Sequence, residues 1–558
     1  MLPILKKNSV GIMSFSAGVI CFLVYLKALT CGFVNWEDQD YVINNVLIRS
    51  LDLDFFIDAF TTTPVYGFWL PLTWVTFALD YYFWGLNPFG YHLTNIMIHS
   101  VNTGIVVLLA SRLWKQSDLL KFERSTSETN YYMAVLLFVA LLWGIHPARV
   151  ESVVWVSERK DVLNGLFTIS SVLFYLRYVQ KKDALFRKSI VCREFVFSLL
   201  LFSMSLMSKS ISVILPLVLL VIDWYPLGRL RKDNFKAVFV EKIPYFAFSI
   251  GIVIVTVFSR LNQDGFNSLG EFPLMVRLVA SGNSIIEYLV ILLLPFDILP
   301  YYHLAYAIPK IYVFKAIAFA VLFCIGIYLG KKKWWVTAIM LGFLIPLLPI
   351  LHLTANGAQI IIAPRYTYLP SLIPGILITG MVFSIFVNTL SSVYRNILVL
   401  LSGALLVLYM VITGQLIGDW KDSGTMWSKV IAHQPFAGAY FYRGLFYVDS
   451  GQYSAAIDDY SKCLENTDQS ELPDSIYAFR GEAFARDAKH LEAINDFNAA
   501  ISIYPHQLYY YHRSLSLNAI GMVKEAAEDM EKAGNASGQM RRFVHGSRQV
   551  NSFDNVKN

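Results

Sequence analysis

Ser9-Val-Gly-Ile-Met-Ser-Phe-Ser-Ala-Gly-Val-Ile-Cys-Phe-Leu-Val-Tyr-Leu-Lys-Ala-Leu-Thr30 follows Lys6-Lys7 and leads to Trp36-Glu37-Asp38-Gln39-Asp40-Tyr41. An apolar run of this length is long enough to span a bilayer. No small-residue cleavage site follows it, so it reads as a retained signal anchor with a cytoplasmic amino terminus. Three carboxylates then stand just beyond the first span. Acids are costly beside a bilayer, so they are candidate functional groups, with a solvated loop as the alternative.

The rest of the chain agrees with a membrane reading. Its 558 residues are 56% hydrophobic and 15% charged, with a mean hydropathy of +0.50, which describes an all-α, polytopic helical membrane protein and excludes a water-soluble one. The net charge of +6 is spread as short basic clusters between apolar runs. Membrane orientation explains such clusters, so no nucleic-acid partner is expected. Cys21, Cys31, Cys192, Cys324 and Cys463 are odd in number and scattered, which indicates neither a disulfide framework nor a thiolate metal site.

Further apolar runs near 91–111, 131–146, 162–179, 194–208, 210–224, 243–259, 312–330, 334–351, 369–388 and 396–417 bring the expected count to about eleven spans. The basic loops test that count. Arg112, Lys115, Lys121 and Arg124, then Arg177, Lys181, Lys182, Arg187 and Lys188, then Arg229, Arg231, Lys232 and Lys236, then Lys331-Lys332-Lys333 should all be cytoplasmic. They are, provided that 279–296, interrupted by Glu287 and closed by Pro295, lies in the interface or re-enters without crossing. The aromatic-rich segment 69–85, with Pro71 and Asp80, is expected to lie on the outer surface.

Beyond residue 418 the chain changes to helical spacing of apolar residues among charges. Gly444, Tyr447, Ala456 and Tyr460 recur as Gly481, Phe484, Ala493 and Phe497, then as Ser514, Leu517, Ala526 and Met530, at intervals of 37 and 33 residues. That is near the tetratricopeptide period, in which a small residue permits close helix crossing and a large one fills the groove. The expected domains are therefore a membrane domain over 1–417, with outer loops at 31–90, 147–161, 260–311 and 352–368, a linker at 418–434, a repeat solenoid over 435–534, and a disordered tail at 535–558. The solenoid reads as a surface for a protein partner.

Four loops expected on the outer side carry candidate chemistry. Glu37, Asp38 and Asp40 are close enough to share a divalent cation or to divide base and metal roles. In His146-Pro147-Ala148-Arg149-Val150-Glu151-Ser152-Val153-Val154-Trp155-Val156-Ser157-Glu158-Arg159-Lys160-Asp161, a helical stretch would put Glu151, Trp155 and Glu158 on one face. His146 there is a structural residue or a ligand, and Glu158 to Asp161 form either an ion-pair cap or a site. Lys209 sits between two apolar runs, either snorkelling or holding a phosphate. In Ala363-Pro364-Arg365-Tyr366-Thr367-Tyr368-Leu369-Pro370 a guanidinium and two phenols suit a lipid phosphate and a sugar or isoprenoid, or else an aromatic belt.

Taken together, Asn35-Trp36-Glu37-Asp38, Leu86-Asn87-Pro88-Phe89-Gly90-Tyr91-His92, His146-Pro147 through Asp161, Leu215-Pro216 to Asp223-Trp224, and Arg365 to Ser371 resemble the transmembrane and tetratricopeptide-repeat-containing O-mannosyltransferases and their bacterial relatives. The resemblance implies the C-type glycosyltransferase fold and a polyprenyl-phosphate-linked sugar as donor. It implies Asp38, assisted by Glu37, as the base, Glu158 and Asp161 as acids that shape the site or hold a metal, and Lys209 and Arg365 as the groups that receive the lipid phosphate, with Tyr366 beside them. Two positions depart from the family pattern. Glu37 replaces an aspartate, which puts the division of roles in doubt, and Arg149 replaces a histidine, which weakens a His-based metal site.

The expected function is inverting transfer of a sugar from polyprenyl phosphate to Ser or Thr hydroxyls of proteins. Transfer to a lipid or glycan, or a non-catalytic scaffold or transporter, is the alternative. A divalent cation is left open as cofactor. The setting is the bilayer, in a bacterial inner membrane in preference to the endoplasmic reticulum, with the catalytic loops and repeats on the outer or lumenal side.

Overall fold

The computed structural model describes residues 2–63, 65, 67–117, 126–185, 192–230, 234–261, 273–303, 308–351, 362–389, 391–467 and 474–534. The expected tail at 535–558, parts of the loops 260–311 and 352–368, and Lys121, Arg124, Arg187, Lys188, Arg231 and Lys232 lie outside them. Helices supply all the regular structure among the described residues.

The first part of the chain forms α1 (Leu2–Tyr25), α2 (Leu53–Thr61), α3 (Pro71–Trp84), α4 (Pro88–Gln116), α5 (Thr126–Gly144), α6 (Val150–Val154), α7 (Arg159–Leu185) and α8 (Arg193–Ser208). It continues with α9 (Leu215–Trp224), α10 (Phe235–Leu261), α11 (Leu274–Leu293), α12 (Lys310–Lys332), α13 (Trp334–Leu347), α14 (Leu372–Thr389) and α15 (Ser392–Asp419). Two compact units result. One comprises Met1–Gly32, Tyr41–Ile298 and Leu304–Gly418, and the other Phe33–Asp40, Leu299–His303 and Asp419–Asn558.

Among the described residues, seven helices are long and apolar enough to cross a membrane, or eight if the bent pair Asn130–Gly144 and Pro147–Val154 is one span. The expected count of about eleven spans is therefore too high by length and composition. The runs at 210–224, 334–351 and 369–388 form shorter apolar helices, and 194–208 falls in the 16-residue α8. The segment 279–296 also differs from expectation, because α11 is one of the seven. Glu287 looked prohibitive in sequence, but it is ion-paired with Lys315 of α12, which offsets the cost of a charge at that depth. Pro295 follows the helix and does not interrupt it.

Burial ranks these helices. The apolar window of α12 is 0% buried, so its side chains are left for lipid, whereas 72% of the window at Val156–Lys181 is buried. That makes α7 the central helix of the first unit, with α4 and α8 packed along it.

In the second unit, α16 (Ser423–His433) precedes three helix hairpins: α17 (Ala437–Asp449) with α18 (Tyr453–Glu465), α19 (Asp474–Arg486) with α20 (His490–Ile503), and α21 (Gln507–Ala519) with α22 (Val523–Ala533). The small-to-large pattern has a direct physical meaning here. A Cβ on Gly444 would stand 2.7 Å from Tyr460, and one on Gly481 would stand 3.1 Å from Phe497, so glycine is what lets each pair cross closely. One further contact recurs. Arg443, Arg480 and Arg513 each form a two-pronged pair with the aspartate 16 residues on, Asp459, Asp496 and Asp529, at 2.6–2.8 Å. Planar forks of this kind fix the orientation of the two helices as well as their distance.

Candidate functional site

The segment after α5 folds into a compact series of turns. His146 caps a single turn at Pro147–Arg149, its Nδ1 accepting from the Ala148 amide at 3.1 Å. The short α6 ends at Val154, Trp155 is extended, and a second turn at Val156–Glu158 leads into α7. The helical face expected for Glu151, Trp155 and Glu158 is thus broken at Trp155, yet all three side chains reach one cation.

That cation is Arg365, presented by the turn Pro364–Thr367. Its guanidinium pairs with Glu151, approaches Glu158 at 3.3 Å, and stacks over Trp155 at 5.3 Å and Tyr366 at 4.9 Å. Lys209 enters from the break between α8 and the turn Ser210–Ile214. Its Nζ lies 3.0 Å from Glu158 and 2.5 Å from Asp161, and 5.9 Å from the Tyr366 ring centre. Lys160 completes the group, 3.3 Å from Glu158 and over the Tyr41 ring at 4.5 Å. Three carboxylates and three cations therefore balance, with Glu158 shared by all three cations. Burial works against the charge on Lys209, but Asp161 and Glu158 outweigh it and hold its pKa above the ordinary lysine value. It is an ammonium at neutral pH.

The cluster borders a small cleft lined by Asp161, Asn164, Arg365, Tyr366 and Tyr368 together with Ile211, Ile214, Pro346, Leu369 and Pro370. Charged groups thus meet an apolar rim. Two residues outside the ion pairs hold the frame. Asn164 donates to the carbonyls of Ser205 and Lys209 and to the Ser212 hydroxyl, fixing the chain where Lys209 emerges. Arg149 donates to Thr367 Oγ1 at 3.0 Å and Ser371 Oγ at 2.6 Å, and so splints the segment that carries Arg365.

Of the residues expected from sequence, Glu158, Asp161, Lys209, Arg365 and Tyr366 come together. His146 does not join them. Its Nε2 bonds the Leu292 carbonyl at 3.0 Å and its Nδ1 serves the turn, so both ring nitrogens are committed to the backbone and the reading of it as a ligand gives way to a structural one. A divalent cation does not fit this donor set, since each acid already faces a lysine or arginine. Among the described residues no three His, Cys, Asp or Glu side chains gather as metal ligands.

Glu37 and Asp38 belong to the second unit. Asp38 is 1% exposed and its Oδ2 accepts from the Val34 amide at 2.9 Å. Glu151, Lys160, Asn164 and Arg149 were not assigned roles in this cluster from sequence. Glu151 had left a signal in its spacing to Trp155 and Glu158, and Lys160 in the Glu158-to-Asp161 run of charges.

Comparison with known proteins follows the same direction. No family model matches the chain. It is 29% identical over 184 residues to the protein O-mannosyl-transferase Tmtc1 of Drosophila melanogaster, covering 32% of this chain and 19% of that protein. It is 26% identical over 240 residues to tmtc2 of Xenopus laevis, covering 41% and 26%, and 28% identical over 176 residues to TMTC4 of Homo sapiens, covering 30% and 23%. The aligned parts span about a fifth to a quarter of these relatives' lengths. Similarity of sequence thus joins similarity of motif: over a third or so of its length the chain is similar to proteins named as protein O-mannosyl-transferases.

Proposed function

We propose that the chain is a membrane glycosyltransferase that moves a sugar, mannose in the first instance, from a polyprenyl-phosphate donor to Ser or Thr hydroxyls of proteins. The observation that carries this reading is the cleft beside Lys209 and Arg365. Its lining joins Arg365, Asp161 and two phenols to aliphatic residues, with Lys209 paired to Asp161, which suits an amphiphile with a phosphate head and a hydrocarbon tail.

Lys209 and Arg365 take the donor phosphate by exchanging part of their contact with Asp161 and Glu151. As the C1–O bond to phosphate breaks, the electron pair leaves on a phosphate whose charge these cations offset. The acceptor oxygen bonds C1 from the opposite face, and its proton passes to Asp38, with Glu37 assisting. One displacement inverts the anomeric carbon, and no covalent enzyme intermediate forms. The helix hairpins of the second unit are read as the tetratricopeptide array that engages the acceptor protein.

The test is transfer from polyprenyl phosphomannose to a Ser/Thr-rich peptide by purified protein. Asp38→Asn should abolish transfer at normal abundance in the membrane. Wild-type activity in that variant would remove Asp38 as the base, and transfer only to a lipid or glycan would replace the protein acceptor.

A further inference from the structure

The repeat register extends one helix further toward the amino terminus than the small-to-large pattern indicates. In the hairpins, each arginine of a first helix uses its remaining donor on the second helix of the preceding hairpin. Arg480 Nη1 donates to Ser461 Oγ at 3.1 Å and Arg513 Nη1 to Asn498 Oδ1 at 2.5 Å. Arg443 does the same with Ser428 of α16 at 3.0 Å. The aromatic contacts repeat in step. Tyr460 packs on Phe479 at 6.2 Å and Phe497 on His512 at 6.0 Å, and Trp427 of α16 stacks on Tyr442 at 5.0 Å. By two independent contacts, then, α16 holds the place of a second helix. In a full hairpin the large residue of that helix covers the glycine of its first helix, as Tyr460 does Gly444. Trp427 instead meets Trp36 and Tyr301, at 6.2 and 5.8 Å.

Asn35 makes that substitution specific. Its amide N–H donates to Ser423 Oγ at 2.8 Å, its Nδ2 donates to the Tyr442 carbonyl at 2.6 Å, and its Oδ1 accepts from Trp427 Nε1 at 2.9 Å. It is 5% exposed, so these bonds are made away from water, where losing one is costly. Two residues later comes Glu37-Asp38.

We infer that α16 is the second helix of a truncated first repeat, that the segment 33–40 takes the place of its first helix, and that Asn35 is the positioning residue that ties the Glu37–Asp38 pair to the repeat array. This rests on the proposed role of that pair in transfer. The acids are then held by the array that engages the acceptor, so the hold on Asn35 governs turnover and not donor binding.

Two variants test it in the full-length protein. Asn35→Ala removes both side-chain bonds, and Trp427→Phe removes one while keeping an aromatic ring. Each is read by hydrogen exchange at residues 33–40 and at 474–534, and by kcat and donor KM. The expected result is faster exchange at 33–40 with 474–534 unchanged, kcat down at least tenfold in Asn35→Ala and less in Trp427→Phe, and donor KM within twofold. Unchanged exchange at 33–40 in both variants overturns the clamp, whatever the activity. Faster exchange with wild-type kcat overturns the positioning role. If the wild-type protein transfers no sugar, the role of the acids fails while the exchange data still decide the clamp.

Discussion

The first unit contains two balanced ionic clusters that α7 touches at different heights, and they differ in what surrounds them. Near the start of α7, Glu158 and Asp161 meet Lys209 and Arg365. About 21 Å further along the helix, by its rise per residue, Tyr175 sits in a second cluster. There Asp223 pairs with Lys242 at 2.6 Å and Arg229 at 2.9 Å, and Arg229 takes Glu241 with both prongs at 2.9 Å. The Tyr175 hydroxyl donates to Asp223 and accepts from Lys242 at 2.6 Å. Asp223, Glu241 and Lys242 have no exposed side-chain surface and Arg229 keeps 12%, whereas Lys209 keeps 16% and pairs with Asp161, which lines the cleft. The more enclosed cluster is expected to hold helices together. The one beside the cleft is proposed to trade a partner for an incoming anion.

The contrast breaks most visibly at Lys242. Lys242→Met leaves Asp223 and Glu241 buried with one cation between them, a loss of about 3–5 kcal/mol, and should lower the amount of folded protein in the membrane and its Tm in detergent. Normal abundance and Tm would remove the distinction between the clusters. A smaller effect is expected of Tyr175→Phe, which deletes one hydroxyl from the more enclosed network at about 1–3 kcal/mol. Its Tm should fall while transfer per folded molecule stays at the wild-type level, and a selective fall in turnover would give the second cluster a part in the chemistry.

Much of this was legible in the chain, in pieces. The acids of 151–161, Lys209 and Arg365 announced themselves as charges beside apolar runs, but pairing between residues about 50 and 200 positions apart leaves no local trace, so Arg365 with Glu151 emerged only in the fold. The same holds for Glu287 with Lys315, whose mutual neutralisation turned a segment read as non-crossing into a helix of spanning length. Fewer helices among the described residues reach spanning length than the apolar runs suggested, because runs such as 210–224 were counted by composition, although a turn at Ser210–Ile214 shortens the α-helix there. In the repeats, glycine against aromatic residue was readable because it recurs in sequence. The residues 418–434, read as a linker, hold α16, whose Trp427 and Ser428 match the pattern only once their stacking and hydrogen bonds are seen.

The central claim is that the cluster beside the cleft receives a lipid phosphate, and binding of polyprenyl phosphate without sugar to purified protein tests it most directly. Wild type and Tyr175→Phe should bind alike, and Lys209→Met, checked for an intact fold by its melting, should bind at least tenfold more weakly. Equal binding by Lys209→Met and wild type would contradict it.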